Sequence, residues 1–290
     1  PLPPSSSGLC GFISARSLSL AQDVSAKGVS TAIISGGRWR TVQGRIPYLP
    51  PARAYVAENG GRVFWRRQGS DRLKEDREWR RHVASMSLNC IVPDLACDGL
   101  PPSERPGALW ETYRRLVDDG WIVDADGYST SFRVPFPQPN PRCSIARLQK
   151  EVLSDLEAKG MAHSVNLGHV DVFPMASGKQ NAGLFVLKQL DVAPTAAAFL
   201  CDDENDVELA SSVGLVLVPQ PTSQAMASAV RRGAALAKDY DRRQLQRRGA
   251  HATLPPPYYF CSPVPGVLGT EACLEFLLQE LGGASSKSAK

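Results

Sequence analysis

The sequence predicts an α/β fold, in which a doubly wound, mostly parallel sheet is interrupted by an inserted α+β module. Strand and helix patterns alternate regularly near both ends of the chain, which is typical of parallel sheets covered by helices. The middle, from about Arg66 to Met175, has helices, strand-like runs and proline-rich loops without that alternation. At 290 residues, 43% of them hydrophobic and 21% charged, the chain is long enough for one large domain or two ordinary ones.

The N-terminal part supplies a first helix and strand. Residues Ser14–Lys27 carry apolar residues at helical spacing and end at Gly28, a common helix stop. The run VSTAII (Val29–Ile34) then predicts a short buried strand, closed by SGGR. Residues 1–65 are therefore expected to form the first part of a Rossmann-like core.

The C-terminal part, residues 176–290, is expected to complete that core. Helices are predicted at Lys179–Leu190, Asp206–Val213, Ser223–Tyr240 and Glu271–Leu281, and strands at Ala196–Leu200, Leu215–Val218 and Tyr258–Cys261. Such strand and helix alternation produces parallel strands with helices on both faces of the sheet.

Residues 66–175 predict a cap domain inserted into the core. Helices are predicted in the mixed-charge run Ser70–His82, at Leu109–Asp118 and at Ser144–Lys159, and strands at Ser129–Val134, His163–Leu167 and His169–Pro174. The mixed-charge run is expected to present a solvated helix face.

Charge and cysteine usage exclude several classes of protein. The net charge of +4 comes from scattered basic residues without a nucleic-acid reader motif, so no nucleic-acid partner is expected. No apolar run is long enough to span a bilayer, so no membrane partner is expected. Seven cysteines without close pairing indicate reduced thiols in an intracellular protein, and His163 and His169 are expected to have a packing or surface role rather than to bind metal.

The location within the cell and the oligomeric state stay open. The serine-rich stretch SSSGLCGFISARSLSLA has two interpretations, as the remnant of an organelle-targeting segment or as the approach to the first helix. Both a cytoplasmic and a plastid location are compatible with it.

An acidic segment follows the predicted strand Ala196–Leu200. In CDDEND, residues 201–206, four acids and an asparagine come in succession. One interpretation is a capped helix start, because Asp and Asn satisfy free amides there. A cap needs only one or two polar residues, whereas oxygen ligands at the carboxyl end of a parallel strand suit Mg²⁺. The segment therefore favours a metal or phosphate site.

The segment CDDEND resembles the fourth motif, GDxxND, of the haloacid dehalogenase superfamily. Other motifs stand in the order of that family: ISGGR resembles the second motif and MASGKQNAGLFVLKQL the third. VAENGGRVF resembles the asparagine-glycine turn of the Cof-like and sucrose-phosphatase-like branch, which has a C2-type cap, and VDVFP and GVLGTEACLEFLLQEL match that branch.

The resemblance implies a phosphatase that uses Mg²⁺ and acts on a small phosphorylated metabolite, with sugar phosphates as one candidate class. It implies catalytic roles for Ser35 and Lys179, which would bind the phosphoryl group and neutralise its charge. The further residues it implies are Gly36, Arg38 and Asn59 for substrate, Asp202 and Asp206 for the metal, and Asp203 and Asn205 to orient the metal ligands.

The sequence departs from the family at the nucleophile. The first motif, DxDGT, should precede Ser35, but the only acid between Pro1 and Ser35 is Asp23, inside the predicted helix. Two glycines follow Ser35 where one is usual, and Cys201 replaces a glycine. The 290 residues are therefore expected to be inactive, through a truncated gene start that removes a central strand and leaves a poorly folding chain, or as a non-catalytic relative that binds phosphate.

A second stretch imitates the missing motif. WIVDADGYST contains Asp124, Asp126 and Gly127 at the spacing of the first motif. It would hold the nucleophile of a rearranged phosphatase or form a turn between strands. The turn is favoured, because the stretch follows the second motif and continues into a predicted strand.

Overall fold

The computed structural model describes residues 1–4, 11–67, 69, 72–166, 168–234 and 257–287. The chain divides into two compact units. The first contains Pro1–Thr31, Arg45–Pro51 and Leu184–Lys290, and the second contains Ala32–Gly44 and Ala52–Gly183. The predicted domain boundaries after residues 65 and 175 differ from this division and stay a prediction.

The elements alternate along the described chain. The helices are α1 (Ala15–Ala26), α2 (Trp39–Arg45), α3 (Arg77–Met86), α4 (Ala108–Asp118), α5 (Ile145–Glu151), α6 (Gly178–Gln189), α7 (Val207–Ala210), α8 (224–234) and α9 (Gly266–Lys287). The strands are β1 (Ala32–Ile34), β2 (Ala54–Ala57), β3 (Arg62–Arg66), β4 (Leu73–Glu75), β5 (Phe132–Val134), β6 (Met161–Asn166), β7 (His169–Pro174), β8 (Ala198–Leu200), β9 (Leu215–Val218) and β10 (Tyr258–Cys261).

The first unit contains a parallel sheet with the order β10-β9-β8. Helix α1 begins at Ser14, whose hydroxyl accepts a hydrogen bond from the Ser17 N–H at 2.8 Å, and it packs against α9. Strand β9 is mostly buried, whereas Ala198 and Leu200 of β8 are exposed. Among the described residues, β8 lies at an edge of this sheet, although its apolar sequence is typical of a central strand.

The second unit contains two sheets. The first has the order β1-β2-β3-β4, with β1 and β2 parallel and the other pairs antiparallel. All four residues of β2 are buried, while β1, at the edge, is half-buried. The second sheet, β5-β7-β6, is antiparallel and buries Phe132, Val170 and Val172 on one face. The predicted α/β class with parallel strands is confirmed.

Several predicted boundaries are wrong. The mixed-charge run is not one helix, because Leu73–Glu75 pairs with β3 and Asp76 caps α3 by accepting from the Trp79 N–H at 2.8 Å. Its charge is not all solvated either, since Arg80 is buried and pairs with Asp98.

The other differences concern where helices end. Helix α5 ends at Glu151 and two 3₁₀ turns follow, and α7 ends at Ala210, whereas α9 extends beyond its predicted range. Parts of the predictions fall on Ser5–Cys10, Ser70, Asp71, Leu167 and 235–240, which lie outside the described residues. No helix in the described part is both long and apolar enough to cross a membrane.

Candidate active site

The loop that carries Ser35 begins at the carboxyl end of β1. The Ser35 N–H donates to the carbonyl of Val56 at 3.0 Å, and the Ser35 hydroxyl oxygen accepts from the Gly37 N–H at 3.1 Å. Gly36 between them is buried. Because β1 and β2 are parallel, Ser35 and Glu58, which follow these strands, lie at the same edge of the sheet.

The turn between β2 and β3, residues 58–61, is hydrogen-bonded to two segments that carry predicted site residues. The Glu58 N–H donates to the carbonyl of Gly37 at 2.8 Å, next to Ser35. The carbonyl of Asn59 accepts from the Gly178 N–H at 2.6 Å, and Gly178 precedes Lys179 at the start of α6. The structure therefore brings the Ser35 loop and the start of the Lys179 helix to one turn.

The side chain of Asn59 has an internal partner. Asn59 is buried, and its Nδ2 donates to Oδ2 of Asp171 at 3.2 Å. Arg133 donates to both oxygens of Asp171, from Nε at 2.6 Å and Nη2 at 2.8 Å. Although burial lowers the pKa of Arg133, the hydrogen bonds and charge of Asp171 raise it above its ordinary value. Asn59 is therefore part of a buried charged network.

Arg38 is also committed to contacts inside the protein. Its guanidinium pairs with the carboxylate of Asp124, donates to the carbonyl of Asp126 at 2.5 Å and lies 4.6 Å from the ring centre of Tyr128. Arg38 is buried, and burial with the charge of Asp171 raises the pKa of Tyr128 to about 12. Two of its nitrogens therefore face protein groups, and the substrate contact by Arg38 stays a prediction.

The stretch that imitates the missing nucleophile motif is explained by the same contacts. Asp124 and Arg133 exchange backbone hydrogen bonds at 2.7 and 2.9 Å, which pairs the stretch with β5. The carboxylate of Asp124 is engaged by Arg38, and Gly127 has a positive φ of 67°. The favoured interpretation of DADG as a turn between strands agrees with this geometry.

The acidic segment 202–206 begins a short 3₁₀ and α-helical stretch after β8. Asp203 is the N-cap, and its side chain accepts from the Glu204 N–H at 2.7 Å. Oδ2 of the buried Asp206 accepts longer hydrogen bonds from the N–H groups of Asp202 and Asp203, at 3.4 and 3.3 Å. Asp203 and Asp206 therefore cap the start of this helical stretch, as the first interpretation of the segment expects, although the cap involves only part of the segment.

The donor set of the segment is compatible with the predicted cation. Asp202 is exposed beyond the carboxyl end of β8, and its carbonyl is held by the N–H and hydroxyl of Thr222 at 2.8 and 2.9 Å. Asp202 and Asp206 offer only oxygen ligands, which suits Mg²⁺. Within the described residues, no group of three or more His, Cys, Asp or Glu side chains is placed to hold a metal ion.

The predicted site residues divide between the two units. Ser35, Gly36, Arg38, Asn59 and Lys179 belong to the second unit, and the segment with Asp202, Asp203, Asn205 and Asp206 belongs to the first. The site as a whole stays a prediction.

Sequence reasoning missed three residues of this region: Glu58, Arg133 and Asp171. The signals for Glu58 and Asp171 are their positions beside the Asn-Gly pair and within VDVFP, and nothing local marks Arg133.

The chain is similar in fold to several solved structures, among them a sucrose-phosphatase and a haloacid dehalogenase-like hydrolase. A sucrose-phosphatase from Synechocystis, solved with sucrose and phosphate, has a TM-score of 0.58 and 11% identity, over 93% of each chain. Protein 0175 of Thermoplasma acidophilum has the same score and identity, over 97% of this chain and 94% of that chain.

A haloacid dehalogenase-like hydrolase of Bacillus subtilis has a TM-score of 0.53 and 11% identity, over 92% of this chain and 87% of its own. No protein-family model matches the sequence. No curated protein matches it either. At these identities the likenesses show the fold, and they confirm the predicted fold type.

Proposed function

We propose that this chain carries the phosphate- and Mg²⁺-binding groups of a haloacid dehalogenase-type phosphomonoester hydrolase whose substrates are small phosphorylated metabolites. The observation that carries the proposal is the meeting of the Ser35 loop and the start of the Lys179 helix at turn 58–61. A hydroxyl and an ammonium group held on one framework suit a phosphoryl group.

The proposed roles follow from the chemistry of each group. Ser35 and the backbone of Gly36 bind phosphoryl oxygens, and Lys179 offsets their charge. Asp202 and Asp206 hold Mg²⁺, which when bound neutralises phosphate charge, and Asp203 and Asn205 orient these carboxylates. Asn59 supports Lys179 through the backbone contact with Gly178.

A phosphorylated sugar is the proposed substrate class. The support is the likeness in fold to a sucrose-phosphatase whose structure contains sucrose and phosphate. The cap region, residues 66–175, is proposed to select the sugar.

We further propose that the 290 residues bind phosphate without hydrolysing esters. Asp23, the only acid before Ser35, lies inside α1, and Asp124 is engaged by Arg38. The same observations favour the second candidate, a non-catalytic phosphate-binding relative.

Phosphate binding tests the site. Inorganic phosphate should bind with an affinity that Mg²⁺ increases, measured by isothermal titration calorimetry. With Mg²⁺ present, Lys179→Gln removes a cation that attracts phosphate and Asp202→Asn removes a proposed Mg²⁺ ligand, so each should weaken binding about tenfold or more. Lys188→Gln, on the exposed face of the same helix, and Glu204→Gln, in the same acidic segment, are matched controls that should bind as the wild type does.

Hydrolysis tests the missing nucleophile. No turnover of p-nitrophenyl phosphate or sugar phosphates with Mg²⁺ is expected from the 290-residue chain. Turnover that Asp202→Asn abolishes would contradict the proposal that the chain does not hydrolyse esters. Turnover that Asp124→Asn abolishes would identify Asp124 as the nucleophile. A wild type that binds no phosphate would contradict the proposed function itself.

A further inference from the structure

The backbone of turn 58–61 adopts a conformation that needs outside support. Glu58, Asn59 and Gly60 have successive positive φ values of 55°, 51° and 86°. Only glycine adopts this region without cost, and such residues persist where their surroundings enforce the conformation. Glu58 and Asn59 are both buried, so their side-chain partners are part of that enforcement.

The carboxylate of Glu58 is held by a separate segment of the chain. Its Oε2 accepts from the Ser129 N–H at 2.8 Å, the Thr130 N–H at 2.7 Å and the Thr130 hydroxyl at 2.9 Å. Its Oε1 lies 3.5 Å from Nη1 of Arg62. The side chain is fully buried, so loss of the carboxylate would leave three buried donors without their acceptor.

Close packing on both sides leaves the turn little freedom. A Cβ at Gly60 would overlap the backbone of Gly178, and a Cβ at Gly61 would overlap the side chain of Thr130. The turn therefore fits between the segment 129–130 and the start of α6, and it can move only if one of them moves.

The backbone of the same two residues holds the groups assigned to phosphate. Glu58 binds the loop of Ser35 through Gly37, and Asn59 binds the start of α6 through Gly178. The relative placement of Ser35 and Lys179 thus depends on the conformation of two adjacent residues.

We propose that Glu58 is a positioning residue, whose buried carboxylate locks turn 58–61 and thereby fixes Ser35 and Lys179 relative to each other for phosphate binding. The inference rests on the proposed function for the role of Ser35 and Lys179. A framework fixed in advance binds phosphate without first having to be ordered.

The test compares Glu58→Ala with Glu75→Ala. Glu75 is a matched control, because its carboxylate is also largely buried and also pairs with Arg62, but it binds no group of the turn. Two quantities are measured: amide hydrogen exchange of Glu58 and Gly178 by NMR, relative to amides of β7, and the Kd for inorganic phosphate.

In Glu58→Ala, both amides are expected to exchange about tenfold faster or more relative to β7, since the turn loses its buried acceptor. The Kd should rise by a similar factor. In Glu75→Ala, the relative exchange and the Kd should stay near the wild-type values. Equal effects of the two variants on both quantities would overturn the proposal.

If Glu58→Ala does not fold, Glu58→Gln and Glu75→Gln replace the pair, with a smaller expected difference because the amide oxygen still accepts. If the wild type binds no phosphate, the proposed function fails. Unchanged amide exchange at Gly178 in the Glu58 variant would overturn the positioning role of Glu58, whatever the phosphate result.

Discussion

Turn 58–61 and the acidic segment 202–206 were both singled out as motifs, but they are stabilised in different ways. The turn contacts residues far away in sequence, at 37, 129–130, 171 and 178. The cap at Asp203 is made within the acidic segment, since its side chain accepts from the Glu204 N–H. The turn is therefore a tertiary structure, whose loss should disturb the unit around it, whereas the cap at Asp203 is a local one.

The largest expected effect tests how tightly the turn is enclosed. Gly60→Ala is expected to lower the free energy of unfolding by about 4 kcal/mol, because it adds steric overlap with Gly178 to the strain of a positive φ. Gly120→Ala is the control, since Gly120 has a similar φ of 81° but open space around its Cβ. Its expected loss is about 1 kcal/mol, measured by urea unfolding. Equal losses in the two variants would show that close packing around the turn adds nothing to the cost of the Gly60 substitution.

A smaller effect is expected in the acidic segment. Asp203→Ala removes the N-cap acceptor and should lower the free energy of unfolding by about 1 kcal/mol. Glu204→Ala, one residue later and exposed, should change the free energy of unfolding by only about a few tenths of a kcal/mol. A loss of the size expected for Gly60→Ala would contradict the local character of the Asp203 cap, and so would a large change in the exchange of distant amides.

The smallest effect concerns pH and the network next to the turn. Nδ1 of His169 accepts a hydrogen bond from the Phe136 N–H at 3.0 Å, and burial, followed by the charge of Arg133, lowers the pKa of His169 below 6.5. The imidazole of His169 therefore binds a proton more readily in the unfolded chain than in the folded one. Its contribution to the free energy of unfolding is fully present above pH 6.5 and should be lost as the pH falls through the lowered pKa.

Replacing His169 by glutamine should reduce that dependence. The measurement is the free energy of unfolding at several pH values between about 5 and 8, in the wild type and in His169→Gln. An unchanged slope in the variant would assign the dependence to other groups.

Sequence patterns predicted the parts of the fold that depend on local chemistry. Helix α1 ends just before Gly28, which has a positive φ, as predicted, and the Asn-Gly pair forms a turn with positive φ values. The prediction of one helix for the mixed-charge run is wrong because Leu73–Glu75 pairs with β3. The partner strand, rather than local charge spacing, decides the conformation of these residues.

The candidate site shows the same limit. Motif order predicted that Ser35 and Lys179 belong to one site, and their elements do meet at one turn. Nothing near Arg38 in the sequence indicates that its guanidinium binds Asp124, or that Glu58 binds Ser129 and Thr130. Such pairings depend on how separate segments fold together, which residue spacing alone does not contain.

The contact between Gly61 and Thr130 has a consequence for how this chain can evolve. A larger residue at position 61 would overlap the hydroxyl oxygen of Thr130, and a residue at 130 that relieves this overlap would lack the hydroxyl that donates to Glu58. Positions 58, 61 and 130 are therefore expected to covary among homologous sequences as one unit.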